Sequence, residues 1–368
     1  MQVSLLTPGA DAVIVPFAGV LSEAGQAALR ELRLPRLQSL LAACPVPPCP
    51  PRATPSDDGT PGPAPELTLS APHERALAAS LGLEACDGQV PVAALLARAA
   101  GWPDHGRAWG RLTLAHWQLG TEQISMIDPA MLGLDAPTSD ALLEAVRPLL
   151  EHDDANAGGS VPASGGFELR AFAPGCWLLA HPALDGLACA SLDRVVGRNV
   201  DLWLGAGPGL RRVRRLQNEV QMLLHRHPVN EAREARGELP VNSFWLDGCG
   251  RLPASVDMAV ACVAAPGAAG VLADSGPGAR AQRSVTVDDS LRGPALAEDW
   301  HAWSRAFGRL DDGLFAHCLE RAQTGAAIEL TLCGERHALT LRPGRPGWWQ
   351  RLRAIARPAD LQALLQAL

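Results

Sequence analysis

The sequence predicts an α/β protein, and three observations carry that reading. Leu210, Val213, Leu216, Val220, Leu223 and Leu224 recur at steps of three and four, which places them on one face of a helix. Val241 to Leu246 is a short apolar run with two aromatics, bounded by Pro240 and by the glycine-rich Asp247-Gly248-Cys249-Gly250, and reads as a buried strand entering a loop. Ile328–Leu332 and His337–Leu341 alternate around Cys333-Gly334-Glu335-Arg336 as a hairpin does. With 368 residues and 47% apolar content, the chain is long enough for two domains or one large α/β unit.

Taken in order, Ala12–Val15 reads as a short strand, and Ser22 as the N-cap of a helix through Leu32. Pro35–Ala42 makes a further helical turn. Residues 44–65 are rich in proline, serine, aspartate and glycine, which predicts a flexible excursion; its hydroxyls, Thr54, Ser56 and Thr60, sit in no activating motif. Ser70–Leu83 is a helix with Pro72 near its start. Arg111–Leu119 alternates as a strand, Gly120 turns the chain, and Gln123–Ile127 is its expected hairpin partner, ended by Asp128-Pro129. Thr138–Leu150 is a helix, 152–166 a second flexible loop, Phe167–Phe172 and Trp177–His181 two strands, and Asn199–Leu204 an extended segment.

Gly205 to Gly209 has the look of a nucleotide loop, but Leu210 takes the place of its last glycine and Pro208 lacks an N–H for phosphate, so a turn is expected. Pro228 cannot continue the long helix; Asn230 is expected to cap a short second helix through Arg236, closed by Gly237. Ala259–Ala264 is a buried strand candidate, and Ala297–Phe307, Leu314–Ala322 and Leu361–Leu368 read as helices.

Composition excludes several function classes. A net charge of −7 and a pI near 5.8 argue against a nucleic-acid or anionic-membrane partner, which needs a basic field. The basic side chains are arginines, with no lysine for a Schiff base or a P-loop. Nine cysteines without a C-x-x-C pair suggest neither a disulfide framework nor a zinc ribbon, and fit a reducing cytoplasm. The first residues show no basic segment followed by an apolar core, so no signal peptide is expected. The apolar stretch Met258–Ala273 is broken by Pro266 and falls short of a bilayer span.

One motif is specific. HPVN, then R, then G, then PVN entering an apolar strand resembles a segment of archaeal-type cofactor-independent phosphoglycerate mutases of the alkaline phosphatase superfamily. NEVQMLL, HPVN, R, G and PVNSFWL together resemble, more fully, the RpfE-type regulatory proteins of bacteria. The resemblance implies a degenerate alkaline-phosphatase-like core, residues 1–95 and 251–368, with an inserted α+β cap-like domain at 96–250. It also implies a cytoplasmic regulatory or ligand-binding protein whose partner is an unidentified protein or a small phosphorylated molecule. The active mutases end their first strand in a metal-binding aspartate, where this chain has Pro16-Phe17, and after Gly250 no Asp-His dipeptide occurs. No metal or cofactor is therefore predicted. The alternative is a metal-dependent mutase or phosphohydrolase with rearranged ligands, which would need manganese or zinc held by His116, Asp128, His227 or Asp247.

The candidate ligand contacts are His116, Asp128, His227, Asn230, Arg233, Asn242, Asp247, Gly248 and Gly250, the last three standing beyond the carboxyl end of a strand where α/β proteins gather ligands. Five of them also have a structural reading. His116 would satisfy a backbone group, His227 would cap the end of the long helix, Asn230 would cap the next, Arg233 would pair with a carboxylate such as Glu231 or Glu234, and Asn242 would tie a strand end to its neighbour.

Overall fold

The computed structural model describes residues 11–44, 65–102, 106–151, 166–205, 207–253, 256, 261–262, 285–344 and 360–368. The expected loops at 44–65 and 152–166, with Thr54, Ser56 and Thr60, fall almost wholly outside them.

Strand β1 (Asp11–Val15) is buried from Ala12 onward. Ser22 caps α1 (Glu23–Glu31), its hydroxyl accepting from the Gly25 N–H at 3.1 Å. Helix α2 (Pro35–Ala42) opens on a proline after Leu34, whose side chain has no acceptor to offer. Its first amides are met from far along the chain: Arg36 and Leu37 N–H donate to the Asp311 carboxylate at 3.0 and 2.8 Å. Helix α3 (Pro72–Ser80) follows, then α4 (Val92–Ala99), which the sequence reading did not foresee. Residues Val92 to Ala97 are all buried, so α4 has no polar stripe to reveal its period.

Strands β2 (Trp109–Ala115), β3 (Trp117–Leu119) and β4 (Ile124–Met126) replace the single hairpin expected at 111–127. The run breaks at His116: β3 pairs with β4, whereas β2 joins a different sheet. A 3-10 turn at Pro129–Leu132 leads to α5 (Ala136–Glu151), β5 (Glu168–Ala173), β6 (Cys176–Ala180) and the short α6 (Leu192–Val195). The segment expected to be extended at 199–204 contains a 3-10 turn, Val200–Leu202, because the Asn199 side chain accepts from the Asp201 N–H at 3.1 Å and folds the backbone back. Helices α7 (Pro208–Leu224) and α8 (Pro228–Ala235) precede β7 (Ser243–Gly250). Strands β8 (Ala261–Cys262) and β9 (Val285–Val287), helices α9 (Arg292–Leu296) and α10 (Trp300–Leu310), a π turn at Asp311–Phe315, α11 (Ala316–Thr324), β10 (Ile328–Cys333), β11 (Ala338–Leu341) and α12 (Leu361–Gln366) complete the order.

The chain divides into two compact units. The first takes residues 1–67, 71–84 and 257–368. Its sheet runs β11-β10-β1-β9-β8, with β1 parallel to both neighbours and β11 antiparallel at the edge. The arrangement is a mixed α/β one, since parallel neighbours require crossover connections. Val13, Val15, Leu330 and Leu332 from the sheet, with Leu37, Leu40, Trp303, Phe307 and Phe315 from helices, form its core.

The second unit takes residues 68–70 and 85–256, where the sequence reading set bounds of 96 and 250. Its sheet is antiparallel, ordered β5-β6-β2-β7. Leu112, Leu114, Trp177, Leu179, Phe244 and Leu246 cluster with Leu142 and Val146 of α5 and Leu216 and Val220 of α7. That accounts for the helical apolar face read from the sequence. Alternation sends Arg111 and its cross-strand partner Asp247 away from Leu112 and Leu246.

Candidate functional site

The HPVN-to-PVN segment is built from side chains that bind backbone. Pro228 is the first residue of α8 and has no N–H, and it holds the preceding residue extended, so the cap falls on His227 (φ −74°, ψ 136°) rather than on Asn230. His227 Nδ1 accepts from the Val229 N–H at 3.3 Å, which places it at the start of α8 instead of over the last carbonyls of α7. Asn230 lies inside α8 and is 3% exposed. Its amide nitrogen donates to Leu224 O at 2.8 Å and Val241 O at 2.7 Å, while its oxygen accepts from the Val241 N–H at 2.8 Å, joining α7, α8 and the approach to β7.

Arg233 pairs with a carboxylate, that of Glu238 rather than Glu231 or Glu234. Its guanidinium donates to Leu239 O at 2.8 Å and lies 3.4 Å from Glu238, because the chain doubles back at Gly237 (φ 74°), and it also donates to Leu132 O at 2.6 Å in the turn before α5. Asn242 accepts from the Trp117 N–H at 2.7 Å and donates to Trp117 O at 2.9 Å, tying β7 to β3 as its structural reading required. His116 Nδ1 lies 2.7 Å from Pro240 O; a carbonyl only accepts, so that nitrogen carries the proton. Asp128 caps the turn at Pro129–Leu132 through the Ala130 N–H, 3.1 Å away.

Asp247, Gly248 and Gly250 are not in a loop. They are residues of β7, which continues to Gly250 against β2 with a register shift at Trp109/Arg111. Asp247 is fully buried and bidentate to Arg111, with Nε to Oδ1 at 2.8 Å and Nη2 to Oδ2 at 2.5 Å, and it also accepts from the Leu192 N–H at 2.8 Å. Gly248 has φ 62°, and a Cβ there would lie 3.0 Å from Ala93 N, so the glycine lets α4 rest on the strand.

The structure therefore brings His116, Asn230, Arg233 and Asn242 together around residues 239–242, leaves Asp128 and His227 as separate caps, and places Asp247 in an ion pair farther along β7. Among the described residues, no three His, Cys, Asp or Glu side chains gather as a metal ion would require. The donor set expected of a rearranged metal centre does not fit. From the sequence, Arg111 is only the start of a strand. A lone arginine within an apolar strand demands a buried carboxylate, and Asp247, the lone acid of β7, was the available signal.

The second unit also carries a cleft that no motif of the sequence marks. Trp203, Leu210, Val213, Arg214, Gln217 and Trp245 line it, with Cys189 on its wall. Its innermost part measures about 20 Å³, and from there the cleft opens to solvent. Three of the polar side chains at its margin are anchored: Gln217 Nε2 donates to Phe244 O at 3.0 Å, Trp245 Nε1 to Ala190 O at 2.8 Å, and Arg214 to Leu204 O at 2.7 Å. Trp203 is 4% exposed, and its indole N–H has no hydrogen-bond partner. Leaving a buried donor unmatched costs about 1–3 kcal/mol. Behind the wall, the Cys249 thiol is held well above the ordinary range by its contact with Cys189 and by burial.

No family model matches this sequence, and no curated protein matches it. Two solved structures are similar over nearly the whole chain. One is a cofactor-independent phosphoglycerate mutase from Thermoplasma acidophilum, with 14% identity, TM-score 0.32, and coverage of 91% of this chain and 90% of that one. The other is the PH0037 protein from Pyrococcus horikoshii, with 12% identity, TM-score 0.41, and coverage of 97% and 98%. Both similarities are weak, and neither carries an activity to this chain. No helix among the described residues is long and apolar enough to cross a membrane.

Proposed function

We propose that the chain is a non-catalytic binding protein, a cytoplasmic regulator of the kind the RpfE-type resemblance implies, and that the second unit meets its ligand at the cleft beside α7. The observation that carries this reading is the disposition of polar groups in that unit. The candidate residues of its motif are engaged with backbone or with a buried ion partner, while the Trp203 indole, one of several buried donors in this unit without a partner, with those of Trp109 and Trp117, is the one that lines an apolar cleft. A protein that holds a small molecule needs an apolar recess with a few directed polar groups. A protein that transfers a phosphoryl group needs charge gathered on metals, and the described residues do not assemble it. The ligand class is a small molecule presenting an acceptor oxygen, of which a phosphorylated acid is the first to try; neither metal nor nucleic acid takes part.

The test pairs elemental analysis of the purified protein with titrations of 3-phosphoglycerate in EDTA and in manganese. The binding reading expects no stoichiometric metal. It also expects a change in tryptophan fluorescence on titration in EDTA that Trp203→Phe abolishes while melting at the wild-type temperature. Stoichiometric manganese or zinc, with a thermal shift that depends on it, would replace this reading with the phosphomutase or phosphohydrolase alternative.

A further inference from the structure

The cleft wall holds a pair of thiols that ligand binding does not use. Cys189 is 7% exposed and lines the cleft, and its Sγ lies 3.9 Å from the Sγ of Cys249, which is wholly buried in β7. The two segments run side by side, fixed on the flanks of the pair by Trp245 Nε1 donating to Ala190 O and by the Leu192 N–H donating to Asp247, each at 2.8 Å. A disulfide has a sulfur separation of about 2.05 Å, so closing the pair asks for a movement of about 2 Å shared between two side chains. Both cysteines belong to the second unit.

We infer that Cys189 and Cys249 form a peroxide-reactive site that closes to a disulfide. The oxidant class follows from the place of the pair: Cys189 is 7% exposed in the cleft wall, which a small uncharged oxidant such as hydrogen peroxide reaches most readily. The Cys189 thiolate attacks one peroxide oxygen, the O–O bond breaks, and the departing hydroxide takes up a proton to leave as water. Cys189 is then a sulfenic acid. Cys249, giving up its proton, attacks that sulfur; the S–O bond breaks and the second hydroxide leaves as water. Two thiols lose two electrons, and the peroxide accepts those electrons and both protons. Cys189 reacts first, because it lines the cleft and Cys249 is held as a thiol behind it. The closed pair joins positions 60 residues apart and fixes the cleft wall to β7.

The experiment treats the reduced full-length chain with hydrogen peroxide, blocks remaining thiols by alkylation and maps the digest without reductant. The expected result is one cross-linked peptide joining Cys189 and Cys249, with a loss of two alkylatable thiols that dithiothreitol restores. In Cys249→Ala, the same treatment should leave a sulfenic acid at Cys189 that dimedone traps. Two outcomes overturn the inference: both peptides stay reduced while exposed Cys86 is oxidised, or Cys189 of the native chain passes to a sulfinic acid with no cross-link. The first measurement is made on the unaltered chain, so it does not depend on how a variant folds.

Discussion

At the scale of single residues, the most consequential contact is the ion pair between Arg111 and Asp247, with side chains 6% and 1% exposed. Removing one partner strands a charge where water cannot reach it, at a cost of about 3–5 kcal/mol. Asp247→Ala should lower the urea midpoint accordingly, and Arg111→Met combined with Asp247→Leu should restore much of the loss, since neither charge is then buried alone. Equal losses in the single and double variants would show that the site needs the polar pair itself. His337 makes a pH-dependent contribution in the first unit. Burial, then the positive charges of Arg75 and Arg336, hold its pKa below the ordinary imidazole value of 6.5. As pH falls through that value, the unfolded chain takes the proton before the folded one does, so stability present at neutral pH is lost toward acid. Melting curves at pH 7.5 and 5.5 should show the drop, and His337→Gln should flatten it. The candidate residues are visible in the sequence because they stand in the segments that carry the resemblance, HPVN to PVN above all, or beyond the strand that follows. What each one bonds is not, because the acceptors Leu132, Pro240 and Val241 are backbone atoms that carry no side-chain signature.

At the scale of elements, long segments with a clear period were legible. Helix α7 and the β10–β11 hairpin follow the apolar spacing that predicted them. Two kinds of element were not. Helix α4 is buried along most of its length, so its spacing had no contrast. The end of β7 looks like a loop in the sequence because Gly248 and Gly250 resemble turn punctuation, although they are strand glycines shaped by the helix lying against them. The start of α2 shows a further limit, because its cap comes from Asp311, 274 residues beyond Leu37. Asp311→Ala removes two charge-assisted bonds to backbone amides, and the expected loss is about 1–2 kcal/mol, as for other helix caps. Hydrogen exchange at Arg36 and Leu37 should accelerate in that variant more than exchange at Gly25, which Ser22 caps independently. Uniform acceleration across both helices would mean that Asp311 supports the whole core and not this one terminus.

At the scale of the whole molecule, the two units differ in how the chain supplies them. All four strands of the second unit's main sheet, its α5 and α7 cover, and the Arg111–Asp247 pair lie between residues 85 and 256. The short piece Thr68–Ser70 adds bonds of its own, with Leu69 and Ser70 N–H donating to Asp87 at 2.8 Å and the Ser70 hydroxyl accepting from the Gly88 N–H at 2.7 Å. A chain of residues 68–256 therefore contains a complete core and should fold alone, with one cooperative melting transition and a retained response of Trp203 to ligand. The first unit cannot be cut in the same way. Strand β1 lies between β10 and β9, so the centre of its sheet comes from the beginning of the chain and both neighbours from the end. Residues 257–368 alone would leave β9 and β10 without the strand that joins them, exposing Val285, Leu330 and Leu332, each of which is wholly buried in the full chain. That fragment should be unfolded or aggregated, and adding a peptide of residues 1–44 should recover sheet signal in circular dichroism. Cooperative folding of 257–368 without that peptide would show that β1 is dispensable, and would contradict the dependence of this sheet on its central strand.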